Sequence, residues 1–309
     1  MTRVTILGSI NVDTILQIPR LPKPGETLAM SGKQVAGGGK GANQAIAAAR
    51  AEADTAFIGK VGDDANGKMM LKALQNAKID TTQISTSNYA DTGEAFILLD
   101  DNGQNSILVD GGTNQEIKIG DIETAHETIE NADFLITQFE TPLTTTLAAF
   151  RYAKSVGVTT ILNPAPAKTD LDPELLKLTD LIVPNETESE TLTGIKVTDE
   201  ASMNAAATAL IKQGVKAVII TVGAKGAYYQ TKANHGFVKA FKVDAVDTTA
   251  AGDTFIGALS SRLNSDLSNL PAAVLFANKA SSLTVQKLGA QPSIPHLSEI
   301  LADGEIKKA

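Results

Sequence analysis

Short apolar runs alternate with stretches of helical composition along most of the chain. The runs are continuous and rich in β-branched residues, which is typical of strands covered on both faces. They lie at 4–7, 55–58, 134–137, 158–162, 181–183 and 217–222. The predicted helices lie at 42–53, 67–75, 119–131, 143–155, 202–213, 252–263 and 272–285. This alternation predicts an α/β fold, with helices on both sides of a mostly parallel sheet.

Two segments interrupt the alternation. The first, 10–35, carries Pro19, Pro22, Pro24 and Gly25 between short extended pieces. The second, 92–112, predicts a hairpin with strands at 95–99 and 106–109, because the Asn-Gly pair in the turn 101–103 favours tight reversal. We predict one domain over 1–309, with a small β-sheet lid formed by about 12–36 and 92–112. The alternative is two surface excursions that share no role.

Composition narrows the class of protein. The 309 residues carry 27 Lys and Arg against 35 Asp and Glu, a net charge of −8, which disfavours nucleic acid and acidic membranes as partners. The chain has no Cys, which excludes disulfides, thiolate catalysis and Cys-based zinc sites. The three His show no metal-ligand spacing. No apolar run reaches the ~18 residues of a membrane span, and we expect a cytoplasmic protein.

The segment 246–255 has the most informative chemistry. Small residues Ala250, Ala251 and Gly252 open a predicted helix, where unpaired N–H groups and the helix dipole favour an anion. The carboxylate of Asp253 is placed to accept a proton from an attacking hydroxyl. The alternative interpretation is that Asp253 only caps the helix.

A run of glycines at 37–41 includes Lys40 and precedes Asn43. Such a run exposes backbone N–H groups to a ligand, with Lys40 and Asn43 as polar contacts. The spacing of this run does not match a P-loop. Gly8, which follows the first predicted strand, also lacks the further glycines of a dinucleotide-binding fingerprint. A flexible turn before a helix is the alternative.

Three carboxylate or amide residues follow predicted strands. Asn11 and Asp13 have the period-two spacing that points both side chains the same way, and together they suit adjacent sugar hydroxyls. Glu140 follows the strand 134–137, where this type of sheet collects ligand groups. The alternatives are turn-forming roles for Asn11 and Asp13 and a solvated loop carboxylate for Glu140.

Two further motifs follow the strands 181–183 and 217–222. Asn185 and Glu188 have i, i+3 spacing that suits a phosphate and a hydrated Mg²⁺, or a capping box. The glycine turn 221–226 suits nucleotide phosphates, or only reverses the chain.

In this order, the motifs resemble those of the ribokinase family of carbohydrate kinases over nearly the whole chain. The resemblance rests on G-S-I-N-V-D (8–13), G-G-K-G-A-N-Q-A (38–45), N-P-A-P-A (163–167), P-N-E-T-E (184–188), T-V-G-A-K-G (221–226), D-T-T-A-A-G-D-T-F (247–255) and K-L-G-A-Q-P-S (287–293). It implies a three-layer α/β/α domain of about nine strands with a β-sheet lid that pairs two subunits as a homodimer. The implied reaction is the ATP-dependent phosphorylation of D-ribose at O5. The alternative is a kinase of another small sugar or nucleoside, such as fructose, deoxyribose or adenosine.

The resemblance also assigns roles residue by residue. Asp253 is implied as general base, with Ala250, Ala251 and Gly252 as anion hole. The implied ribose ligands are Asn11, Val12, Asp13, Gly39, Lys40, Gly41, Ala42, Asn43, Glu140 and Asp253. The implied ATP-binding residues are Asn185, Thr221, Val222, Gly223, Ala224, Lys225, Gly226, Gly252 and Asn278. Glu188 is expected near Mg²⁺ through water, and an activating potassium ion is expected at Asp247, Thr249, Thr284, Lys287, Gly289 and Ser293.

Overall fold

The computed structural model describes residues 1–302, 304 and 306. Its strands are β1 (Arg3–Leu7), β2 (Asn11–Ile18), β3 (Gly32–Gly38), β4 (Asp54–Gly62), β5 (Asp80–Ser87), β6 (Gly93–Asp100), β7 (Asn105–Asp110), β8 (Phe134–Thr137), β9 (Thr159–Leu162), β10 (Leu181–Ile182), β11 (Ala217–Thr221), β12 (Gly226–Thr231) and β13 (His235–Lys239). Its helices are α1 (Lys40–Arg50), α2 (Ala65–Asn76), α3 (Ile119–Thr124), α4 (His126–Glu130), α5 (Leu143–Ser155), α6 (Pro173–Lys177), α7 (Glu186–Thr193), α8 (Glu200–Lys212), α9 (Ala251–Arg262), α10 (Leu270–Thr284), α11 (Ala290–Ser293) and α12 (Leu297–Ile300). Short 3₁₀ turns cover Gly112–Glu116 and Gly223–Lys225.

A nine-stranded sheet forms the centre, in the order β13-β12-β11-β10-β9-β8-β1-β4-β5. Pairing is parallel from β5 to β11, and only β12 and β13 run antiparallel to their neighbours. All six predicted strands are present, which confirms the predicted α/β sheet. The sequence pattern missed β5, β12 and β13, which lie at or near the sheet edges. In the edge strands β5 and β13 most residues are half-buried or exposed, so their sequences lack a continuous apolar run. The strand β12 is mostly buried, but its sequence, Gly-Ala-Tyr-Tyr-Gln-Thr, also offers no such run.

A second sheet of four strands has the order β3-β2-β6-β7. The predicted hairpin is its β6–β7 pair, with Leu99 opposite Asn105 and Gly103 at a positive φ of 76° in the turn. The proline-rich segment contributes β2 and β3, which pair antiparallel. The expectation of a smaller separate sheet is therefore confirmed.

The core lies on both faces of the nine-stranded sheet. Successive strand residues alternate between the two layers, so Ile6 packs with the helices α1, α9 and α10, whereas Leu7 packs with α5 and α8. Both side chains are fully buried. This explains why the central strands are apolar at every position. The predicted helix 119–131 is broken at Ala125 into α3 and α4.

The carboxyl ends of the central strands lie at one edge of the sheet. The segments that follow β1, β8, β9, β10 and β11 carry the polar residues singled out in the sequence, and α1 begins at the same edge with Ala42 N–H bonded to Ser9 O at 3.0 Å. This is the edge where parallel α/β sheets bind ligands. Over residues 1–302, 304 and 306, no helix is long and apolar enough to cross a membrane.

Candidate active site

Glycines allow the start of α1 to approach the end of β1. Gly39 has φ +88°, and a Cβ there would lie 2.7 Å from the backbone nitrogen of Asn11. A Cβ on Gly41 would lie 2.7 Å from the Cα of Gly8. Any side chain at either position would push the two segments apart. The glycine run is therefore required for the contact that brings Lys40 and Asn43 to the site.

Four carboxylates and one lysine meet beside this contact. Burial raises the pKa of Asp13 to about 6, with further increases from the charges of Glu140 and Asp253. Burial opposes the charge of Lys40, but Asp253, Glu140 and Glu188 outweigh it and raise the pKa of the lysine. Residues from five separate parts of the sequence are thus within electrostatic reach of this site.

Glu140 is held in place by the loop after β1. Its carboxylate accepts hydrogen bonds from the hydroxyl of Ser9 and, at 3.2 Å, from the backbone N–H of Lys40. The side-chain amide of Gln115 donates to the Glu140 carbonyl oxygen at 2.8 Å. The Glu140 carboxylate is therefore half-buried and hydrogen bonded rather than freely solvated, and its role as a ligand stays a prediction.

Asp253 lies in the first turn of α9, with only 8% of its surface exposed. Its carboxylate accepts hydrogen bonds from Asn43 Nδ2 at 3.1 Å and Gln44 Nε2 at 3.0 Å. Burial raises its pKa, opposed by the charge of Lys40 and by these two hydrogen bonds. No side chain caps α9, so the capping interpretation of Asp253 is wrong.

The first turn of α9 presents backbone donors. Ala250 is the N-cap residue and adopts a left-handed conformation with φ 60°, which is uncommon for a residue with a side chain. The N–H of Ala251 is bonded to Thr248 O at 3.2 Å, and that of Thr254 to Ala250 O at 2.8 Å. Gly252 is exposed, and a Cβ on it would meet nothing within 4 Å. Among the described residues, the N–H groups of Gly252 and Asp253 meet no acceptor, so both donors of the turn are open, and Gly252 leaves the space beside them free.

Some expected ligand residues have their side chains in the core. Val12 and Ala42 are fully buried among apolar residues. The N–H of Gly41 is bonded to Ser9 Oγ at 3.3 Å. At these three positions only backbone atoms are available to a ligand.

Asn185 and Glu188 form a capping box at the start of α7. Glu188 N–H donates to Asn185 Oδ1 at 2.8 Å, and Asn185 N–H donates to Glu188 Oε2 at 2.9 Å. The capping interpretation is therefore confirmed. Burial raises the pKa of Glu188, opposed by the Asn185 hydrogen bond and Lys40, while Asp253 adds to the rise. The carboxylate thus faces the same site as Lys40 and Asp253.

The glycine turn after β11 lies next to Asn185. Asn185 and Thr221 form an isolated parallel bridge, and Gly223, with φ +52°, begins the 3₁₀ turn. Gly223, Ala224 and Lys225 are exposed, whereas Val222 and Gly226 are buried. Asn278 donates to the carbonyl oxygens of Val238 and Lys239 at 3.1 and 3.2 Å, so only its Oδ1 is left for a nucleotide.

The loop before α9 contacts the segment 284–293. Val246 N–H donates to Val285 O at 2.7 Å, and Gly289 N–H donates to Asp247 Oδ2 at 2.9 Å. Burial opposes the Asp247 charge, but hydrogen bonds from Thr249 and Gly289 lower the pKa of this carboxylate. Of the residues expected to bind a monovalent cation, the structure joins Asp247, Thr249 and Gly289 directly. Thr284, Lys287 and Ser293 are instead hydrogen bonded or paired with Thr254, Glu299 and Ala290, so their part in the cation site stays a prediction.

Sequence analysis missed several amide side chains behind the ligand residues. Gln44 and Asn163 stand within quoted motifs but were given no role, and Gln138 and Asn114 were not singled out. Asn114 donates to Asn11 Oδ1 at 2.7 Å and accepts from Ile10 N–H at 2.8 Å. A single sequence offers no pattern that could have found them, because their partners are distant along the chain.

The fold, with a buried carboxylate in the first turn of a helix at the ligand-binding edge of a parallel sheet, is of the kind expected for a phosphotransferase. The sequence matches the pfkB family of carbohydrate kinases over residues 1–297. The chain belongs to this family, which confirms the resemblance and the expectation of a kinase.

The sequences of individual relatives match this chain over nearly their full lengths. A ribokinase of Staphylococcus aureus (strain COL) is 53% identical, covering 96% of this chain and 98% of the relative. A deoxyribokinase of Salmonella typhi is 36% identical, covering 96% of each chain. The structure of an Arabidopsis thaliana ribokinase complexed with ribose and ATP is 32% identical with a TM-score of 0.92, covering 99% of this chain and 100% of that one.

Proposed function

We propose that this protein transfers the γ-phosphoryl group of ATP to O5 of D-ribose, giving ribose 5-phosphate and ADP. One observation carries the proposal. The buried Asp253 carboxylate lies beside the exposed Gly252 turn and within electrostatic reach of Lys40, Glu140 and Asp13. Two relatives named ribokinase, 53% and 45% identical, support ribose as acceptor, since the deoxyribokinase is only 36% identical.

Asn11, Asp13, Lys40, Asn43 and Glu140 hold the sugar in this proposal. Asn43 Oδ1 is a buried acceptor that no donor among the described residues reaches, and in this proposal a bound sugar hydroxyl supplies the missing donor. Asp13 and Glu140 supply acceptors, and the Lys40 ammonium supplies donors and offsets their charge. A bound polyol would therefore meet both hydrogen-bond donors and acceptors in this site.

Phosphoryl transfer depends on alignment and charge stabilisation. Asp253 accepts the O5 proton as the bond to phosphorus forms, and the bond from the γ-phosphorus to the bridging oxygen of ADP breaks. The N–H of Gly252 and the N-terminal dipole of α9 stabilise the transferring group. Asn185 and the 221–226 turn hold the nucleotide.

Magnesium and potassium fit the residues present. The Glu188 carboxylate already accepts two hydrogen bonds from Asn185, which suits a contact to hydrated Mg²⁺ through water. At the expected potassium site, the Lys287 ammonium is paired with Glu299 at 2.8 Å, so its charge does not oppose a cation beside Asp247. Bound there, Mg²⁺ would neutralise phosphate charge and K⁺ would brace the loop before α9.

The four-stranded sheet acts as the lid and the dimer surface in this proposal. Its β7 strand exposes Ile107, Leu108 and Val109 to 53%, 64% and 59%. Val109 pairs with Ala95, and Ala95 pairs with Asp13, so the face with Val109 also carries a proposed sugar ligand. A second copy of the chain would cover the face with Ile107 and Val109, whereas Leu108 lies on the opposite face of β7. Size-exclusion chromatography with light scattering should give a mass of two chains.

The decisive experiment is an ATP-dependent phosphorylation assay with D-ribose, 2-deoxyribose, fructose and adenosine. We expect D-ribose to have the highest kcat/KM and the product to carry phosphate on O5, with faster turnover when potassium is present. Preference for another acceptor would reject ribose while keeping the kinase. Ribose binding without ATP turnover, in magnesium and potassium, would reject the kinase proposal.

A further inference from the structure

A chain of buried amides lies behind the Asp253 carboxylate. Gln44 Nε2 donates to Asp253 Oδ1 at 3.0 Å and to Asn163 Oδ1 at 3.1 Å. Gln138 Nε2 donates to Gln44 Oε1 at 2.7 Å. Gln44 is fully buried and Gln138 is 1% exposed. The four residues come from α1, α9 and the segments after β8 and β9, so the chain links both sides of the site.

Chemistry fixes the direction of these hydrogen bonds. An ionised carboxylate only accepts hydrogen bonds, so the NH₂ group of Gln44 must face Asp253. Its oxygen then faces Gln138, whose own NH₂ group donates to it. Reversing the Gln44 amide would place its oxygen against the oxygens of Asp253 and Asn163. Each amide therefore holds the next in the orientation that serves the carboxylate.

From this arrangement we infer that Gln44 is a positioning residue for the proposed phosphoryl transfer. Its amide, held by Gln138 and Asn163, fixes the orientation of the Asp253 carboxylate and keeps it ionised. The inference rests on the proposed function, in which Asp253 is the base. Gln44 does not exchange protons, so it acts only through Asp253.

The need for such a group follows from the surroundings of Asp253. Burial and Glu140 favour the protonated acid, whereas Lys40, Asn43 and Gln44 favour the carboxylate. Asp13 and Glu188 are the other titratable groups coupled to Asp253. A protonated Asp253 cannot accept the O5 proton. Donated hydrogen bonds offset the effect of burial without adding another charge.

The test compares Gln44→Met with Gln230→Met. Met has a similar volume but no amide. Gln230 is also buried and hydrogen bonded, to Thr208 and Tyr228, but its partners lie on α8 and β12. For Gln44→Met, we expect kcat with ribose to fall about 10- to 100-fold, as for loss of a hydrogen bond to a charged group. The KM for ribose should change by a smaller factor.

The pH profile separates positioning from general destabilisation. Losing the Gln44 donor favours protonated Asp253, so the acid limb of the kcat profile should move up by about one pH unit. Gln230→Met should lower the melting temperature while leaving that limb in place. Gln138→Met, which does not touch Asp253, should move the limb in the same direction by less, and it carries the test if Gln44→Met does not fold.

An acid limb that stays in place in both Gln44→Met and Gln138→Met would overturn the inference. A kcat loss in Gln44→Met no larger than in Gln230→Met would also overturn it. The variant Asp253→Asn distinguishes failure of the Gln44 inference from failure of the proposed function. If Asp253→Asn keeps near-normal turnover, Asp253 is not the base and the proposed function fails. If Asp253→Asn is inactive while the limb stays in place, only the role of Gln44 fails.

Discussion

Asp13→Asn should make the protein more stable while weakening ribose binding. Asp13 is half-buried beside Glu140 and Asp253, and its pKa rises from 3.8 to about 6. That difference of about two pH units corresponds to an upper limit of about 3 kcal/mol against the ionised form. Allowing for residual solvation, we expect Asn to raise the free energy of unfolding by about 1–3 kcal/mol at neutral pH.

The pH dependence of this gain follows from proton binding. Between pH 3.8 and about 6, the native Asp13 binds its proton more tightly than the unfolded chain does. Wild-type stability therefore falls as pH rises through this interval, and the penalty is complete above it. Asn does not titrate, so its advantage should be large at neutral pH and vanish below the unfolded pKa.

Urea unfolding of both proteins at pH about 7.5 and about 4 measures the effect. Asp101→Asn, at an exposed position in the β6–β7 turn, controls for the substitution itself. The KM for ribose should rise in Asp13→Asn, because an anionic acceptor is lost. An Asn variant that is no more stable than wild type at neutral pH, or whose advantage does not depend on pH, would refute this reasoning.

Three further substitutions test the site. Asp253→Asn should bind ribose by calorimetry yet lose about 10²- to 10⁴-fold in kcat, the usual contribution of a proton acceptor; near-normal turnover would remove Asp253 from that role. Gly252→Ala should keep its melting temperature, since the added Cβ meets nothing within 4 Å, but should raise the KM for ATP and lower kcat; unchanged kinetics would place the phosphate elsewhere. Gly39→Ala should lower the free energy of unfolding by about 1–3 kcal/mol, because φ is +88° and Cβ would lie 2.7 Å from Asn11 N; wild-type stability in urea would contradict the contact.

The central part of the fold could be predicted from the sequence because burial on both faces leaves continuous apolar runs. The strand β8 begins and ends where the pattern predicts. The edge strand β5 could not be found, since its sequence, Asp-Thr-Thr-Gln-Ile-Ser-Thr-Ser, is mostly polar. The break at Ala125 was also missed, because the helical composition continues through it.

In the candidate site, too, some features could be predicted from the sequence and others could not. Period-two spacing placed Asn11 and Asp13 on one face of β2, where Asp13 meets Glu140 and Asp253. Spacing alone could not separate a cap from a base at Asp253, and the structure decides against the cap. The amides of Gln44 and Gln138 are 94 residues apart, so their contact exists only in the folded chain.

A crystal structure with D-ribose and a non-hydrolysable ATP analogue tests the central claim most directly. We expect ribose O5 within about 3 Å of an Asp253 carboxylate oxygen, the distance at which a base accepts a proton. The γ-phosphate should lie against the N–H of Gly252, in line with O5. A pentose whose O5 points away from Asp253, or a γ-phosphate remote from the first turn of α9, would contradict the account.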